Sequence, residues 1–163
     1  MDTEVLTRPT PYYTLAPQVR LEPQRARRFF GLNVLLVDDD AADTSLIMGV
    51  LKRHPSVSTS FATDSPGFAL RQLAAGHLNP DLVLLDIHMP RMHGFAFLDD
   101  MRQIKSMAAV PVVFLTTSRL RKDVVDARRS SASLYLVKPD SMFELQANLN
   151  GVLRRAASGA WSN

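Results

Sequence analysis

The sequence predicts an α/β domain in which a parallel β-sheet is covered on both faces by helices. Three observations carry this expectation: short apolar runs begin at Asn33, amphipathic stretches separate them, and polar or acidic residues close most of the runs. Short apolar runs alternating with helical periods are the pattern of strands joined by helical crossovers.

The expected strands are Asn33 to Val37, Val57 to Phe61, Asp81 to Leu85, Val112 to Leu115 and Leu134 to Val137. Between them, Leu46, Ile47, Val50 and Leu51 mark the apolar face of a first helix, and Phe68, Leu70, Leu73 and Ala74 that of a second. Phe95, Phe97, Leu98 and Met101 mark a third. Leu120, Val124, Val125 and Ala127 give the fourth a narrow stripe among many charges, and Phe143, Leu145, Leu149, Val152 and Leu153 define the fifth.

The ends read differently. Residues 1 to 31 hold Pro9, Pro11, Pro17 and Pro23 without a sustained apolar period, so an extended N-terminal arm is expected there, free or used for docking. A short helical turn between Pro23 and Gly31 would bring Phe29 and Phe30 onto the domain. The domain proper is expected over residues 32 to 157, and a tail carrying Trp161 over 158 to 163. Only 24 residues follow Pro139, enough for a last helix and no separate output domain.

A chain of 163 residues with 46% hydrophobic content suits one domain with a real core. The absence of cysteine excludes disulfides and thiolate metal sites, so a metal would need oxygen or nitrogen ligands. No apolar run approaches the ~20 residues that span a bilayer. The first thirty residues mix charges and prolines where a secretory leader would be apolar, and a cytoplasmic location is expected. The net charge of +3 resides at the two ends, which leaves the middle of the chain near neutral. Nucleic acid is not an expected partner, because no basic recognition helix accompanies that charge.

Chemistry concentrates at the ends of the strands. Asp38, Asp39 and Asp40 follow the first apolar run, and Asp86 follows the third. In a parallel sheet the loops at the carboxyl ends of adjacent strands form a crevice, so these acids can meet. Gathered carboxylates repel one another and require a cation or raised pKa values. A hard divalent ion such as Mg²⁺, which takes carboxylate, phosphate and water oxygens, answers that need. Thr116 and Lys138 end the fourth and fifth runs and can supply the hydrogen-bond donor and positive charge that phosphoryl transfer requires. A carboxylate that attacks phosphorus forms an acyl phosphate.

The set Val37-Asp38-Asp39, Leu84-Leu85-Asp86-Ile87-His88-Met89-Pro90 with Gly94, Leu115-Thr116-Thr117 and Val137-Lys138-Pro139 resembles the response-regulator receiver family of two-component signalling. The resemblance covers about residues 32 to 155 and is closest in kind to stand-alone, chemotaxis-regulator-like receivers. It implies a flavodoxin-like, doubly wound sheet of five parallel strands in the order 2-1-3-4-5 with five helices. It further implies that Asp86 is the phospho-acceptor, that Asp39, Asp38, Asp86 and the backbone carbonyl of His88 hold Mg²⁺, and that Lys138 and Thr116 contact the phosphoryl group. Thr116 and Tyr135 would form the conformational switch, and Pro139 would follow a cis peptide. The implied partners are a sensor histidine kinase or phosphotransfer protein, a downstream protein, and a second copy of the chain through the surface near Tyr135 and the last helix. The implied chemistry is self-catalysed phosphorylation and slow dephosphorylation, without a conventional enzyme activity.

The chain departs from the family at Ser131 and Leu134, where Gly is frequent, and at His88 and His93, where Asn and Asp are common. The segments Ala42-Asp43 and Thr116-Thr117-Ser118 are similar to a stand-alone subgroup that includes partners of bacterial phytochromes. Asp40 and Asp43 read as a cap and a first-turn acid of the first helix, and none of the four histidines is assigned to a metal. Two other functions compete. Asp38-x-Asp40 superficially resembles the nucleophile motif of haloacid-dehalogenase-like phosphatases, although Ala41 and Ala42 stand where Gly and Thr are expected. A degenerate receiver acting as a constitutive scaffold is the other, with the arm as its binding element.

Overall fold

Apolar runs without alternation become strands when both of their faces are covered, and the computed structural model shows this arrangement over residues 31 to 117 and 121 to 161. The five strands are β1 (Leu32–Val37), β2 (Val57–Thr63), β3 (Leu82–Leu85), β4 (Val112–Thr116) and β5 (Leu134–Val137). The helices are α1 (Ala41–Arg53), α2 (Pro66–Ala74), α3 (Gly94–Gln103), α4 (Arg121–Arg129) and α5 (Met142–Ser158), with a short 3₁₀ turn at Lys105–Met107. All strand pairs are parallel and the order is β2-β1-β3-β4-β5, the doubly wound, flavodoxin-like arrangement that the family resemblance implies. The arm before Gly31, the turn with Phe29 and Phe30, Ser118 and Leu120 lie outside the described residues.

The side-chain alternation of each central strand divides the core in two. Val34, Leu36, Leu82, Leu84, Val113 and Leu115 pack toward α1 and α5, where they meet Ile47, Leu51, Leu149 and Leu153. Leu35, Val37, Val83, Leu85, Val112 and Phe114 face the opposite way and meet Leu73, Phe97, Leu98 and Met101 of α2 and α3, with Ala127 of α4. Each fully buried aliphatic or aromatic side chain contributes about 1.5–3 kcal/mol relative to exposure, so the two half-cores lock the strand register.

Capping residues set the helix starts. Asp40 accepts a hydrogen bond from the Asp43 amide at the start of α1, and Ser65, followed by Pro66, accepts one from Phe68 at the start of α2. Ser141 accepts from Glu144 in a Ser-x-x-Glu pattern at α5, which ends on Gly159 with φ of 69°. Ser131, one of the departures from the receiver pattern, ties its loop to α3: its hydroxyl accepts from Arg102 Nε at 3.0 Å and its carbonyl from Arg102 Nη2 at 3.1 Å.

Four large apolar residues expected on the core-facing stripes are at the surface. Leu46, Phe68, Val125 and Phe143 are 46%, 36%, 43% and 81% exposed. Each belongs to an apolar cluster in sequence, but a helix turns about 100° per residue. Burial of Ile47, Ala69, Ala127 and Leu145 therefore rotates the nearby apolar side chain off the core. Phe68 instead lies against Phe61 of the edge strand, ring centroids 6.4 Å apart. Strand β2 extends beyond the expected Phe61 because backbone pairing with β1 continues to Val37↔Thr63, irrespective of side-chain polarity. Trp161 packs on the α1–α5 half-core with the Arg155 guanidinium 5.5 Å from its ring centre.

Candidate functional site

The doubly wound topology collects the ends of β1, β3, β4 and β5 along one edge. Asp38 follows β1, Asp86 follows β3, Thr116 closes β4 and Lys138 follows β5. All four are buried: Asp38 is 2% exposed, Asp86 8%, Thr116 0% and Lys138 9%. Asp39 faces solvent. Backbone bonds hold the edge together, with Asp86 N–H donating to Val37 O at 2.9 Å and Lys138 N–H to Thr116 O at 2.7 Å.

Within this edge, Asp38, Asp39 and Asp86 each bring a carboxylate oxygen to within 4.8 Å of the others. Asp38 Oδ1 accepts the Asp40 amide at 2.9 Å, and Asp86 Oδ1 accepts the Ile87 amide at 2.9 Å. Lys138 Nζ donates to Asp38 Oδ2 at 2.7 Å and to Asp43 Oδ2 at 2.8 Å. Burial is the largest influence on both Asp38 and Asp86 and pushes their pKa values up, against the pull of Lys138 and the backbone amides. Lys138 is held above its ordinary value, because its carboxylate partners outweigh the burial that opposes its charge.

Gly94 decides how closely α3 approaches this edge. A Cβ there would collide with the carbonyl oxygen of Asp86 and stand 2.9 Å from Ile87 Cα, so the α3 start can bond Gly94 N–H to Ile87 O only because glycine occupies it. The side chain of His88 reaches α4: its Nε2 lies 2.8 Å from Asp123 Oδ2. The rings of His88 and His93 meet edge-on at 5.1 Å, and His93 stacks on Phe95 at 5.4 Å. Tyr135 is half-buried, opposite Phe114 in the β4–β5 ladder and packed on the α2–α4 half-core.

All peptide bonds of the described residues are trans, which corrects the expected cis bond before Pro139. A tertiary amide places its two isomers within ~1 kcal/mol of each other, so the Lys-Pro dipeptide alone does not select one. Two partners escaped the sequence reading. The sequence marks Asp43 only as a first-turn acid of α1, yet its carboxylate reaches the Lys138 ammonium; the signal is that α1 begins at the same edge as Asp38. Asp123 sits in a charged helix whose local sequence carries no mark of a bond to His88.

The response regulator receiver domain profile matches residues 34–150. This chain belongs to the response regulator receiver family. The receiver is 31% identical over 120 residues to the protein PilH of Pseudomonas aeruginosa, covering 74% of this chain and 96% of PilH. It is 37% identical over 123 residues to the DNA-binding response regulator MtrA of Mycobacterium tuberculosis, covering 75% of this chain and 50% of MtrA. The chain thus spans about half or less of several curated relatives, including a protein-glutamate methylesterase of Pseudomonas syringae pv. tomato of which it covers 37%. Among solved structures, the receiver superposes on the response regulator Rcp1 in its Mn²⁺-bound form with a TM-score of 0.68 at 28% identity, over 74% of this chain and 91% of Rcp1. The phosphorylated cyanobacterial phytochrome response regulator RcpA shares the fold, with a TM-score of 0.71 at 22% identity, over 79% of this chain and 96% of RcpA.

Asp38, Asp39 and Asp86 form the acidic cluster typical of a receiver Mg²⁺ site. Their chemistry fits the ion: the donors are all oxygen, and burial disfavours the metal-free anions, so a hard divalent cation gains what the protein alone lacks. No helix of the described residues is long and apolar enough to cross a membrane.

Proposed function

We infer that this receiver accepts a phosphoryl group on Asp86 from a sensor histidine kinase or phosphotransfer protein and signals through protein–protein interaction. The observation that carries the reading is the convergence of Asp38, Asp39 and Asp86 on one point beside the Lys138 ammonium. These carboxylates and the backbone carbonyl of His88 would hold Mg²⁺, which would supply charge neutralisation for the phosphoryl oxygens.

The chain's own residues divide the remaining work. Ile87 N–H holds Asp86 Oδ1 and fixes the carboxylate plane. A carboxylate oxygen of Asp86 attacks phosphorus; the new O–P bond forms as the donor's bond to phosphorus breaks and its electron pair leaves with the donor. Lys138 places its positive charge at the phosphoryl oxygens, and the Thr116 hydroxyl donates to them. Movement of Thr116 toward the phosphoryl group gives Tyr135 room to turn inward, which alters the α4–β5–α5 surface that partners read. Asp39 lines a depression with Asp64, Met89, Pro90 and Arg91 that leaves the acceptor edge approachable. In this reading residues 32 to 157 are the receiver, 1 to 31 an N-terminal extension, free or used for docking, 158 to 163 a tail, and the cytoplasm the site of action.

Incubation with Mg²⁺ and acetyl phosphate is expected to add one phosphoryl group by mass to wild type and none to Asp86→Asn. No mass gain in either protein would leave the scaffold function, with the arm as its binding element. Turnover of an aryl phosphate that is lost in Asp38→Asn and kept in Asp86→Asn would make the protein a phosphatase.

A further inference from the structure

Lys138 stands between two sets of anions. Among the described residues its Nζ forms ion pairs with Asp38 at 2.7 Å and with Asp43 at 2.8 Å, and none with Asp86. Asp43 comes from the first turn of α1, 95 residues away in sequence, and its side chain is 31% exposed where that of Asp38 is fully buried. Asp43 is anchored by its helix: its own amide donates to the Asp40 cap at 2.9 Å, which fixes where its carboxylate projects. The ammonium is therefore drawn toward α1 by a partner that is not one of the clustered metal-site acids.

From this geometry, and resting on the reading of Asp86 as acceptor, we propose that Asp43 is a positioning residue that competes with the incoming phosphoryl group for Lys138. Before phosphorylation the ammonium is shared between Asp38 and Asp43. Two of its three N–H donors are then committed to carboxylates, and a phosphoryl group on or near Asp86 competes for the same positive charge; Asp43 is the partner it displaces, since Asp38 is the more deeply buried of the two. Loss of that competition strengthens binding of donor and transition state equally, which lowers the half-saturating donor concentration without changing the maximal rate. Asp43→Asn removes the negative charge at nearly constant shape, keeps the backbone bond to Asp40, and leaves Lys138 paired with Asp38.

The test is phosphorylation of the full chain by acetyl phosphate at saturating Mg²⁺, followed by intact mass over a range of donor concentrations. In Asp43→Asn the half-saturating concentration is expected to fall about fivefold, a partly exposed charge-assisted bond being weakened by solvent screening, with the maximal rate unchanged. Asp43→Glu, which restores a carboxylate, is expected to return it toward the wild-type value. An unchanged or raised half-saturation in Asp43→Asn overturns the proposal, as does a fall in maximal rate alone, which marks a purely structural role. Wild type that takes up no phosphoryl group overturns the acceptor reading, and this inference with it.

Discussion

His88 Nε2 lies 2.8 Å from Asp123 Oδ2, a contact between the loop that follows β3 and the first turn of α4, 35 residues further along the chain. The two ends differ in environment, the His88 side chain being 47% exposed and that of Asp123 7%. The contact joins the residue two positions after Asp86 to α4.

A double-mutant cycle on His88→Ala and Asp123→Ala, read by urea unfolding, is expected to return a coupling of about 0.5–1 kcal/mol, the range for a pair with one end in solvent. Strictly additive effects would show that the contact contributes nothing to stability.

The buried carboxylates set a pH dependence in divalent-free buffer. Asp38 and Asp86 have folded pKa values raised above 3.8, so the folded state binds their protons more tightly than the unfolded chain does. Their contribution to stability is complete below the ordinary value and is lost as pH rises through the raised ones. Lys138 is raised above 10.5, so its contribution persists through neutral pH and is lost only above that value. Asp86→Asn removes one titrating group. The stability of wild type relative to this variant is expected to decline from about pH 4 upward, measured as urea midpoints with a chelator present. Parallel pH profiles for the two proteins would contradict this.

Gly94→Ala brings a methyl group against backbone atoms of Asp86 and Ile87, which cannot rotate aside. Unfolding free energy is expected to fall by about 1–3 kcal/mol, the range for overpacking at a tight contact. Because the displaced carbonyl belongs to Asp86, a member of the acidic cluster, Mg²⁺ affinity is expected to fall as well, measurable by calorimetric titration. A variant with wild-type stability and affinity would place slack at this contact.

The last helix offers a contrast between two apolar side chains. Leu149→Ala, at a position with 0% exposure, is expected to cost about 2–5 kcal/mol. Phe143→Ala, at 81% exposure, is expected to change stability by less than about 0.5 kcal/mol. Thermal or urea unfolding of both variants reads this directly, and a large loss at Phe143 would mean that its ring is covered in solution.

Much of the fold was legible in local pattern. Short apolar runs identify strands without knowledge of their partners, and strand β5 begins and ends where its run does, at Leu134 and Val137. The acids and the lysine of the site were legible for the same reason: each closes a run, and a parallel sheet brings the run ends to one edge.

What the sequence determined by itself was therefore the alternation of elements and the edge at which Asp38, Asp39, Asp86, Thr116 and Lys138 assemble. Only the tertiary structure decided that Lys138 binds Asp43 as well as Asp38, that His88 reaches Asp123, and that Phe143 stays in solvent while Leu145 is buried. The reason is geometric. Periodicity is a property of neighbours along the chain, whereas these pairings depend on helix rotation and on distances between segments that meet only when the sheet is assembled.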